Sequence, residues 1–331
     1  MTLAIVDDPR FDGHAPSGPH PEQPARLPAA RSGLYSALGD AETVALKVRP
    51  ATLAEITRVH QPGYVDGLLE RLGDGATQLD ADTYACAGTR DAAWCAAGAA
   101  AVLGTALASD EVQRGIALLR PPGHHAEDDR SMGFCLLNNV AIAAEAARAA
   151  GADRVAIVDW DVHHGNGTQH SFEARGDVMF VSLHQWPLYP GTGSPNEVGH
   201  GAGAGTTINL ALPSGSDDAV YGAAFRDVVL PRLAAFAPDV VLVSAGYDAH
   251  AADPLAGMVL STDAYQAMAS ALLASHERVG FFLEGGYDLA ALEASVAATT
   301  RAVLGEAMDL PEGRIPRTAE DAIQATLRAL G

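Results

Sequence analysis

Lysine is almost absent from this chain, and acidic residues far outnumber basic ones. The 331 residues include 41 aspartates and glutamates against 21 lysines and arginines, and Lys47 is the only lysine. The formal net charge of −20 argues against a nucleic-acid partner, because contacts with phosphates require clustered positive charge. Such acidity would attract a cationic substrate, although it also serves solubility.

Cysteines and long apolar runs are scarce as well. Cys86, Cys95 and Cys135 form neither a zinc-type CxxC pair nor an even disulfide framework, so we expect buried thiols in a reducing compartment. We find no apolar run near the roughly 20 residues that span a bilayer, and no basic segment followed by an apolar core at the N-terminus. The sequence therefore predicts a cytoplasmic protein without a membrane partner.

Residues 155–167 read VAIVDWDVHHGNG, an apolar run that ends abruptly in carboxylates and imidazoles. In an extended chain, residues two apart point to the same side, so Asp161 and His163 can place an oxygen and a nitrogen on one cation. Asp159 lies one step further back on that face. A polar turn that leaves a buried strand would use the same residue types, so the rest of the chain decides.

Three other segments repeat this design of an apolar run followed by polar side chains. They are residues 115–123, which lead into His124 and His125, residues 240–247, which lead into Asp248, and residues 281–286, which lead into Tyr287. Continuous apolar runs of this length are typical of parallel strands that are buried on both faces. Ligands of an open parallel sheet bind beyond the carboxyl ends of the strands, so the four strand ends are predicted to meet at one pocket.

Alanine-rich segments with helical spacing lie between these runs. Strand and helix alternate from about residue 115 onward, which predicts parallel βαβ units with right-handed crossovers. We expect one α/β domain over residues 1–331, because nothing in the chain reads as a linker. The polar stretch Pro9–Pro28 is interpreted either as part of a binding rim or as N-terminal coil. The predicted helices are Ala92–Ala108, Asn139–Ala150, Ala219–Ala237, Thr262–Arg278 and Leu289–Leu304.

The residues at the predicted strand ends suit metal-assisted hydrolysis. Asp161, His163 and Asp248 can bind one divalent metal ion and leave positions open for water and substrate, which is the arrangement of catalytic zinc sites. Such an ion polarises a carbonyl oxygen and lowers the pKa of bound water toward about 7, so no nucleophilic serine is needed. Two carboxylates and one imidazole also suit Fe²⁺, so zinc and iron both stay open.

Proton transfer requires a positioned base, for which His124 and His125 are the candidates. Asp159 and Asn166 are available as orienting partners. We expect Asp159 to hold His124 as a cation and Asn166 to leave His125 near its unperturbed pKa of roughly 6.5. Tyr287, in a Gly-Gly-Tyr turn, can donate a hydrogen bond to the developing oxyanion. Together these groups predict the hydrolysis of an amide.

Five motifs are spread over nearly the full length. They are RPPGHHA at 120–126, GFCLLNN at 133–139, DWDVHHGNG at 159–167, SAGYD at 244–248 and EGGYD at 284–288. Together these motifs resemble the zinc-dependent histone deacetylase and acetylpolyamine amidohydrolase family. The resemblance implies the arginase–deacetylase α/β fold, with an eight-stranded parallel sheet flanked by helices. Asn166 and the EGGY form of the last motif are similar to the class II branch of the family.

The resemblance also implies a role for each residue at the strand ends. The implied roles are zinc ligation by Asp161, His163 and Asp248, general base and acid catalysis by His125, electrostatic support by His124, and polarisation of the carbonyl by Tyr287. A structural potassium ion is implied beside the zinc site, which spacing alone does not reveal. Its implied ligands are the side chains of Asp159 and Ser182 and the main-chain oxygens of Asp161, His163 and Leu183.

A tunnel for an acyl-lysine side chain is a further implication of the resemblance. Phe134 matches one wall and Gly133 the main-chain acceptor beside it, whereas the opposite wall, usually phenylalanine, falls at Tyr189. Asp82 resembles the rim carboxylate that holds the substrate backbone, although a surface turn would use aspartate equally well. Arg26 is placed at an exit for acetate.

Acetylated polyamines are an alternative to acetylated lysine side chains as substrates. The segment at residues 201–207 resembles acetylpolyamine hydrolases, and an acidic chain suits a polycation. However, Leu255 follows the Asp253-Pro254 turn where the animal polyamine-selective branch has a gatekeeping glutamate. We therefore expect a zinc-dependent deacetylase of lysine side chains in proteins or peptides, with acetylated polyamines and other small amides left open.

Two further alternatives fit the sequence less well. Arginase-like binuclear manganese chemistry requires extra carboxylates where this chain has Gly165 and His250. An inactive module that only binds acyl-lysine would not need every chemical position to be filled, as they are here. The sequence predicts one catalytic metal ion in an active enzyme.

Overall fold

The structure, a computed structural model, describes residues 3–75 and 77–331. Eight strands in this part of the chain form one all-parallel sheet in the order β2-β1-β3-β8-β7-β4-β5-β6. The strands are β1 Leu3–Val6, β2 Thr43–Ala45, β3 Arg114–Ala117, β4 Val155–Asp159, β5 Val178–Gln185, β6 Thr207–Leu212, β7 Val240–Ala245 and β8 Val279–Leu283. The predicted α/β fold with an eight-stranded parallel sheet is confirmed.

The strands that end at the candidate site residues are neighbours in the sheet. They occupy the consecutive positions β3, β8, β7 and β4. Every residue of β4, β7 and β8 is buried, as expected for strands that are covered on both faces. The register pairs Asp159 of β4 with Ser244 of β7 and Ser244 with Phe282 of β8. The strand ends therefore lie side by side, and the loops that follow them meet at one edge.

Each predicted helical segment contains a helix, but several ends differ. The helices are α1 Arg26–Leu38, α2 Leu53–Ile56, α3 Pro62–Gly73, α4 Thr89–Ala108, α5 Asn139–Ala149, α6 Asn166–Phe172, α7 Asp218–Ala224, α8 Leu230–Phe236, α9 Thr262–Ser275, α10 Leu289–Val303 and α11 Arg317–Leu330. Of these, α1, α2, α3, α6 and α11 were not predicted. Helix α9 ends at Ser275, not Arg278, because the chain turns there to enter β8 at Val279. The prediction for residues 219–237 missed a π-helical turn at Phe225–Val229 between α7 and α8. Pro231 has no N–H for the regular helical bond, which explains a local change of winding just before it.

Helix α4 is apolar enough, by length and composition, to cross a membrane, contrary to the expectation that the chain has no such run. Its most apolar window has a mean hydropathy of 1.4, and 72% of that window is buried inside the protein. It packs closely on α5, because a Cβ at Gly104 would lie 2.3 Å from the carbonyl oxygen of Ala143. Burial against α5 accounts for its composition.

The cysteine prediction holds for two of the three side chains. Cys95 and Cys135 are buried, whereas Cys86 is half-buried in the loop before α4. The sulfur of Cys86 lies 3.3 Å from the main-chain nitrogen of Ala15 and 3.2 Å from the oxygen of Gly13. Cys86 is therefore partly accessible because it lies where this loop meets the N-terminal segment.

The N-terminal stretch that was interpreted as rim or coil is folded onto the body of the protein. It contains a 3₁₀ helix at Pro9–Gly13 and leads into α1. Its anchor is the fully buried Glu22, which accepts hydrogen bonds from Arg120 at 2.5 and 3.0 Å, from Arg26 at 3.2 Å and from the hydroxyl of Tyr84 at 2.7 Å. The coil interpretation is therefore wrong, because a buried ion cluster holds the segment in place, whereas a role as binding rim stays a prediction.

Replacing Glu22 with glutamine should destabilise the protein, because Arg120 and Arg26 would lose their buried counter-charge. Removing one partner of such a group costs about 3–5 kcal/mol. Burial alone would raise the pKa of Glu22, but the charges of Arg120, then His14 and Arg26, lower it to about 2. A lowered pKa stabilises the fold above the unfolded value of 4.5, and this contribution is lost as pH falls from there toward 2.

Urea unfolding of the parent protein and of Glu22→Gln at pH 7 and pH 3 measures this effect. The gap in unfolding free energy should be smaller at pH 3. The exposed pair Arg317 and Asp321, 3.9 Å apart, provides the control, and Asp321→Asn should change stability by less than about 1 kcal/mol. An equal gap at both pH values would show that the charge of Glu22 does not carry the effect.

Candidate metal centre and catalytic cavity

Three potential metal ligands converge beyond the ends of β4 and β7. Asp161, His163 and Asp248 each offer a ligand atom, and these atoms lie within 4.8 Å of one another. His163 Nδ1 is 3.2 Å from Asp161 Oδ1 and 3.1 Å from Asp248 Oδ2. The structure corrects the reason for this convergence: β4 ends at Asp159, and the next residues bend, with the His163 N–H donating to Asp161 Oδ1 at 2.9 Å. The bend, not an extended strand, sets the spacing.

The surroundings of these ligands fit a bound cation. A Cβ at Gly285 would lie 2.2 Å from Asp248 Oδ2, and one at Gly246 would lie 2.1 Å from Asp161 Oδ2, so only glycine leaves room for the carboxylates. Both carboxylates are buried. Burial and the adjacent charge of Asp161 raise the pKa of Asp248 to about 7. Two carboxylates held this close favour a positive charge between them.

The tandem histidines lie beside this group with the partners that were expected. His124 Nδ1 is 3.0 Å from Asp159 Oδ2, and His125 Nδ1 is 2.7 Å from Asn166 Oδ1. Burial lowers the pKa of His124, but the charges of Asp161 and Asp159 outweigh it and raise this pKa to about 10. His124 is therefore a cation, as predicted.

The expected pKa of His125 near 6.5 is wrong. Burial, followed by the positive charge of His124, holds the pKa of His125 well below its usual value. Asn166 is neutral, so it supplies no opposing charge. His125 is therefore neutral at physiological pH, with one ring nitrogen engaged by Asn166.

Two acidic side chains near the histidines were not singled out from the sequence. Glu284, at the end of β8, accepts hydrogen bonds from the N–H groups of Gly123 at 2.6 Å and His124 at 3.2 Å. Burial raises the pKa of Glu284 to about 7. Glu127 lies behind Asn166, 2.5 Å from its Nδ2. The sequence does contain a signal for each residue: Glu284 directly follows an apolar strand, and Glu127 lies two residues after His125.

A cavity of about 180 Å³ lies against His163, one of the three potential metal ligands. Its lining residues are Asp82, His125, Gly133, Phe134, His163, Leu188, Tyr189, Leu255 and Tyr287. The lining includes every residue predicted to contact the substrate except Arg26. The cavity thus joins the candidate base, a potential metal ligand and the Tyr287 phenol in one space.

Aromatic rings form the walls of this cavity. The rings of Phe134 and Tyr287 meet edge to face, with their centres 5.9 Å apart. Those of Tyr189 and His125 do so with their centres 5.1 Å apart. Gly133 adopts φ +57°, and a Cβ there would lie 2.4 Å from the His125 ring, so glycine is required on both grounds. Asp82 Oδ1 accepts a hydrogen bond from the Gly133 N–H at 3.1 Å. Asp82 therefore fixes the wall as well as facing the cavity.

Arg26 does not line this cavity, and its place at an exit for acetate stays a prediction. Its guanidinium is fully buried and donates to the carbonyl oxygens of Gly286, at 2.7 Å, and Glu284, as well as to Glu22. It also lies over the Tyr287 ring, with Cζ 5.0 Å from the ring centre. The guanidinium is engaged by these groups, so its place in the structure is to hold the turn that carries Tyr287.

The residues assigned to potassium lie together beneath the tandem histidines. Asp159 and Ser182 are register partners on β4 and β5, and Leu183 follows Ser182. Asp159 Oδ1 accepts from the Asp161 N–H at 3.1 Å, and Ser182 Oγ is 2.9 Å from His184 Nδ1. Potassium binding at this position stays a prediction.

Comparisons with known proteins agree with this geometry. The histone deacetylase domain matches residues 20–303. The chain is 41% identical to histone deacetylase 14, chloroplastic, of Arabidopsis thaliana, over 87% of this chain and 73% of that protein. It is 37% identical to a probable deacetylase of Archaeoglobus fulgidus, over 87% of this chain and 82% of that protein. The crystal structure of the HDA15 HD domain matches with a TM-score of 0.92 at 38% identity, over 99% of this chain and 95% of that chain.

The domain match covers most of the chain, including all five motifs and the three potential metal ligands. The structural match extends over 99% of this chain at 38% sequence identity. This chain belongs to the histone deacetylase family.

Proposed function

We propose that this protein is a metal-dependent deacetylase that hydrolyses the amide of acetylated lysine side chains. The observation that carries the proposal is the group of Asp161, His163 and Asp248, whose member His163 lines one cavity together with His125 and Tyr287. Membership of the histone deacetylase family and the similarity to a probable deacetylase support the same reaction.

Zinc is the proposed catalytic ion, with Fe²⁺ as the alternative that the same ligands allow. When bound, the ion supplies a Lewis acid that polarises the substrate carbonyl and lowers the pKa of water. Main-chain N–H groups orient its carboxylate ligands: Val162 donates to Asp248 Oδ1 at 2.9 Å and Gly285 to Asp161 Oδ2 at 2.8 Å. Potassium beside Asp159 is proposed as a structural ion.

His125 is the proposed general base and acid. Its Nδ1 is engaged by Asn166, so Nε2 is left to take a proton from attacking water and later to protonate the leaving amine. Its low pKa keeps it neutral, so the Nε2 lone pair is available. His124, a cation paired with Asp159, supplies positive charge close to the developing negative charge.

Tyr287 is the proposed donor to the developing oxyanion. Burial raises the pKa of its phenol well above 10, which outweighs the opposing charge of Arg26, so the phenol keeps its proton. Contacts with Arg26 and Phe134 hold the ring against the cavity. A fixed neutral donor stabilises the transition state more than the ground state.

Tyr287→Phe should lower kcat by about 10²–10³-fold with a smaller change in KM, as for loss of one oxyanion donor. The substitution removes the hydroxyl and keeps the ring contacts. Steady-state kinetics with an acetyl-lysine peptide measures the effect. Tyr64→Phe is the matched control, because the Tyr64 hydroxyl donates to Leu136 O outside the cavity. An unchanged kcat in Tyr287→Phe would mean that the phenol does not stabilise the transition state.

Acetylated polyamines are the second candidate substrate, favoured by the net charge of −20 and by Asp82 at the cavity. Leu255, an apolar lining residue, favours lysine side chains. One metal-loaded preparation should be assayed against acetyl-lysine peptides, longer acyl-lysine peptides and acetylated polyamines. A higher kcat/KM for the polyamines would overturn the lysine assignment and support the second candidate.

The remaining predictions concern reaction class and setting. Metal-dependent turnover of an acetyl-lysine anilide would exclude an inactive acyl-lysine binding module. Asp161, His163 and Asp248 are the only such ligand group found in residues 3–75 and 77–331, which supports mononuclear over arginase-like binuclear chemistry. Three expectations stay predictions: a cytoplasmic location, one domain over residues 1–331, and the lack of nucleic-acid or membrane partners. On location, two similar plant proteins are named chloroplastic.

A further inference from the structure

A hydrogen-bonded chain runs from the candidate base to the protein surface. His125 Nδ1 contacts Asn166 Oδ1 at 2.7 Å, and Asn166 Nδ2 donates to Glu127 Oε1 at 2.5 Å. The second oxygen of Glu127 lies 2.7 Å from Nδ1 of His170, whose side chain is 42% exposed. Glu127 and Asn166 are buried. Asn166 has a proposed role in catalysis as the partner of His125, whereas Glu127 has no role yet.

The orientation of the Asn166 amide decides which nitrogen of His125 carries the proton. An asparagine side chain has an accepting oxygen and a donating NH₂ group of nearly equal size. With Oδ1 toward His125, Nδ1 must carry the hydrogen, and Nε2 has its lone pair free to act as a base. With the amide reversed, Nδ1 must accept, and the hydrogen moves to Nε2. The reversed amide would therefore stop His125 from accepting a proton.

Glu127 opposes that reversal. Burial raises the pKa of Glu127, but hydrogen bonds from His170 and Asn166 outweigh it, so the net pKa is lowered and the group is a carboxylate. A carboxylate only accepts hydrogen bonds, so it pairs with the NH₂ end of Asn166 and repels the oxygen end. The carbonyl oxygen of His125, 3.2 Å from Asn166 Nδ2, acts in the same direction.

The backbone around this contact is already fixed. Asn166 is the first residue of α6, and Gly167 packs so closely on the tandem-histidine loop that a Cβ would lie 2.1 Å from Ala126 O. Glu127 is the next residue of that loop. The amide orientation is thus set by side-chain chemistry on two segments whose main chains are in contact.

We propose that Glu127 is a positioning residue for proton transfer, which holds the Asn166 amide so that His125 keeps its hydrogen on Nδ1 and its lone pair on Nε2. This inference rests on the proposed role of His125 as the base. His170 supports Glu127 from the solvent side without contacting Asn166, so it supplies a matched control.

Kinetics in two backgrounds tests the proposal. Glu127→Ala should lower kcat by about 10–100-fold, as for loss of an orienting partner, with little change in KM. Glu127→Gln, whose carbonyl can still accept from Asn166, should recover most of that loss, and His170→Ala, which keeps the contact between Glu127 and Asn166, should lower kcat by less than Glu127→Ala does. In an Asn166→Asp background, Glu127→Ala should cost nothing, because either oxygen of a carboxylate can face His125. An equal loss in both backgrounds would overturn the proposal in favour of a structural role.

Imidazole ¹⁵N NMR gives a readout that does not depend on turnover. The parent protein should show His125 with a protonated Nδ1 and an unprotonated Nε2, identified by loss of these signals in His125→Ala. Glu127→Ala should shift the population toward the other tautomer. If His125→Ala is inactive while Glu127→Ala keeps its tautomer and its kcat, this inference alone fails. A fully active His125→Ala would instead overturn the proposed role of His125 as the base, on which this inference rests.

Discussion

Asp248→Ala should release the catalytic metal ion and stop hydrolysis. Asp248 supplies one of three ligand atoms, and its removal leaves Asp161 and His163 as the only members of the group. Loss of a group that merely orients a ligand costs 10–100-fold in affinity or activity, so loss of the ligand itself should cost more than about 100-fold. Metal content per chain and kcat/KM, measured on the same preparation, check both parts of the prediction.

A matched substitution separates metal loss from a general effect on the fold. Asp66 lies exposed on α3, and Asp66→Ala should keep one metal ion per chain and normal activity. Asp248→Asn keeps one oxygen in place and should bind metal more weakly than the parent protein but better than Asp248→Ala. One metal ion per chain together with near-normal activity in Asp248→Ala would show that the ion lies elsewhere.

Strand ends were the part of this site that the sequence made predictable. Buried parallel strands are continuous apolar runs, and each run here stops at a polar residue, which marks Asp161, His124, Asp248 and Tyr287. Parallel strands end at a common edge, so convergence follows from the fold class. The sheet order then makes β3, β8, β7 and β4 neighbours, which no single run of residues reveals.

Contacts between loops were not predictable in the same way. Glu127 reaches Asn166 across 39 positions of sequence, and Glu284 reaches Gly123 across 161. Arg26 was placed at an exit, but its contacts with the Tyr287 turn depend on how α1 packs against that turn. Side-chain partners of this kind are set by tertiary packing, which has no local periodicity to reveal it.

The pKa of His125 could not be predicted from the sequence either, because it depends on burial and on charges nearby in the fold. Its local motif names Asn166 as a neutral partner and suggests an unperturbed imidazole. Burial and the positive charge of its neighbour His124 decide the outcome instead. Desolvation and nearby charge both act through space, so an expectation from motif order misses them.

His125→Ala should be far more damaging than His124→Ala. The first substitution removes both the acceptor for the water proton and the donor to the leaving amine, and general acid–base catalysis contributes about 10²–10⁴-fold. The second removes a supporting cation beside Asp159 and leaves the base in place, so measurable activity should persist. kcat/KM of both variants at pH 7.5, with metal content and thermal unfolding as controls, compares the two roles.

The pH dependence of the His124 variant provides a sharper test. His125 must be neutral to act as base, so activity falls as pH drops through its pKa, and a lowered pKa places the acidic limb of kcat/KM below about pH 6.5 in the parent protein. The charge of His124 is the second cause of that lowering after burial. Removing it in His124→Ala should raise the pKa of His125 and move the acidic limb to higher pH. An unmoved limb, or equal losses of activity in the two alanine variants, would contradict this division of roles.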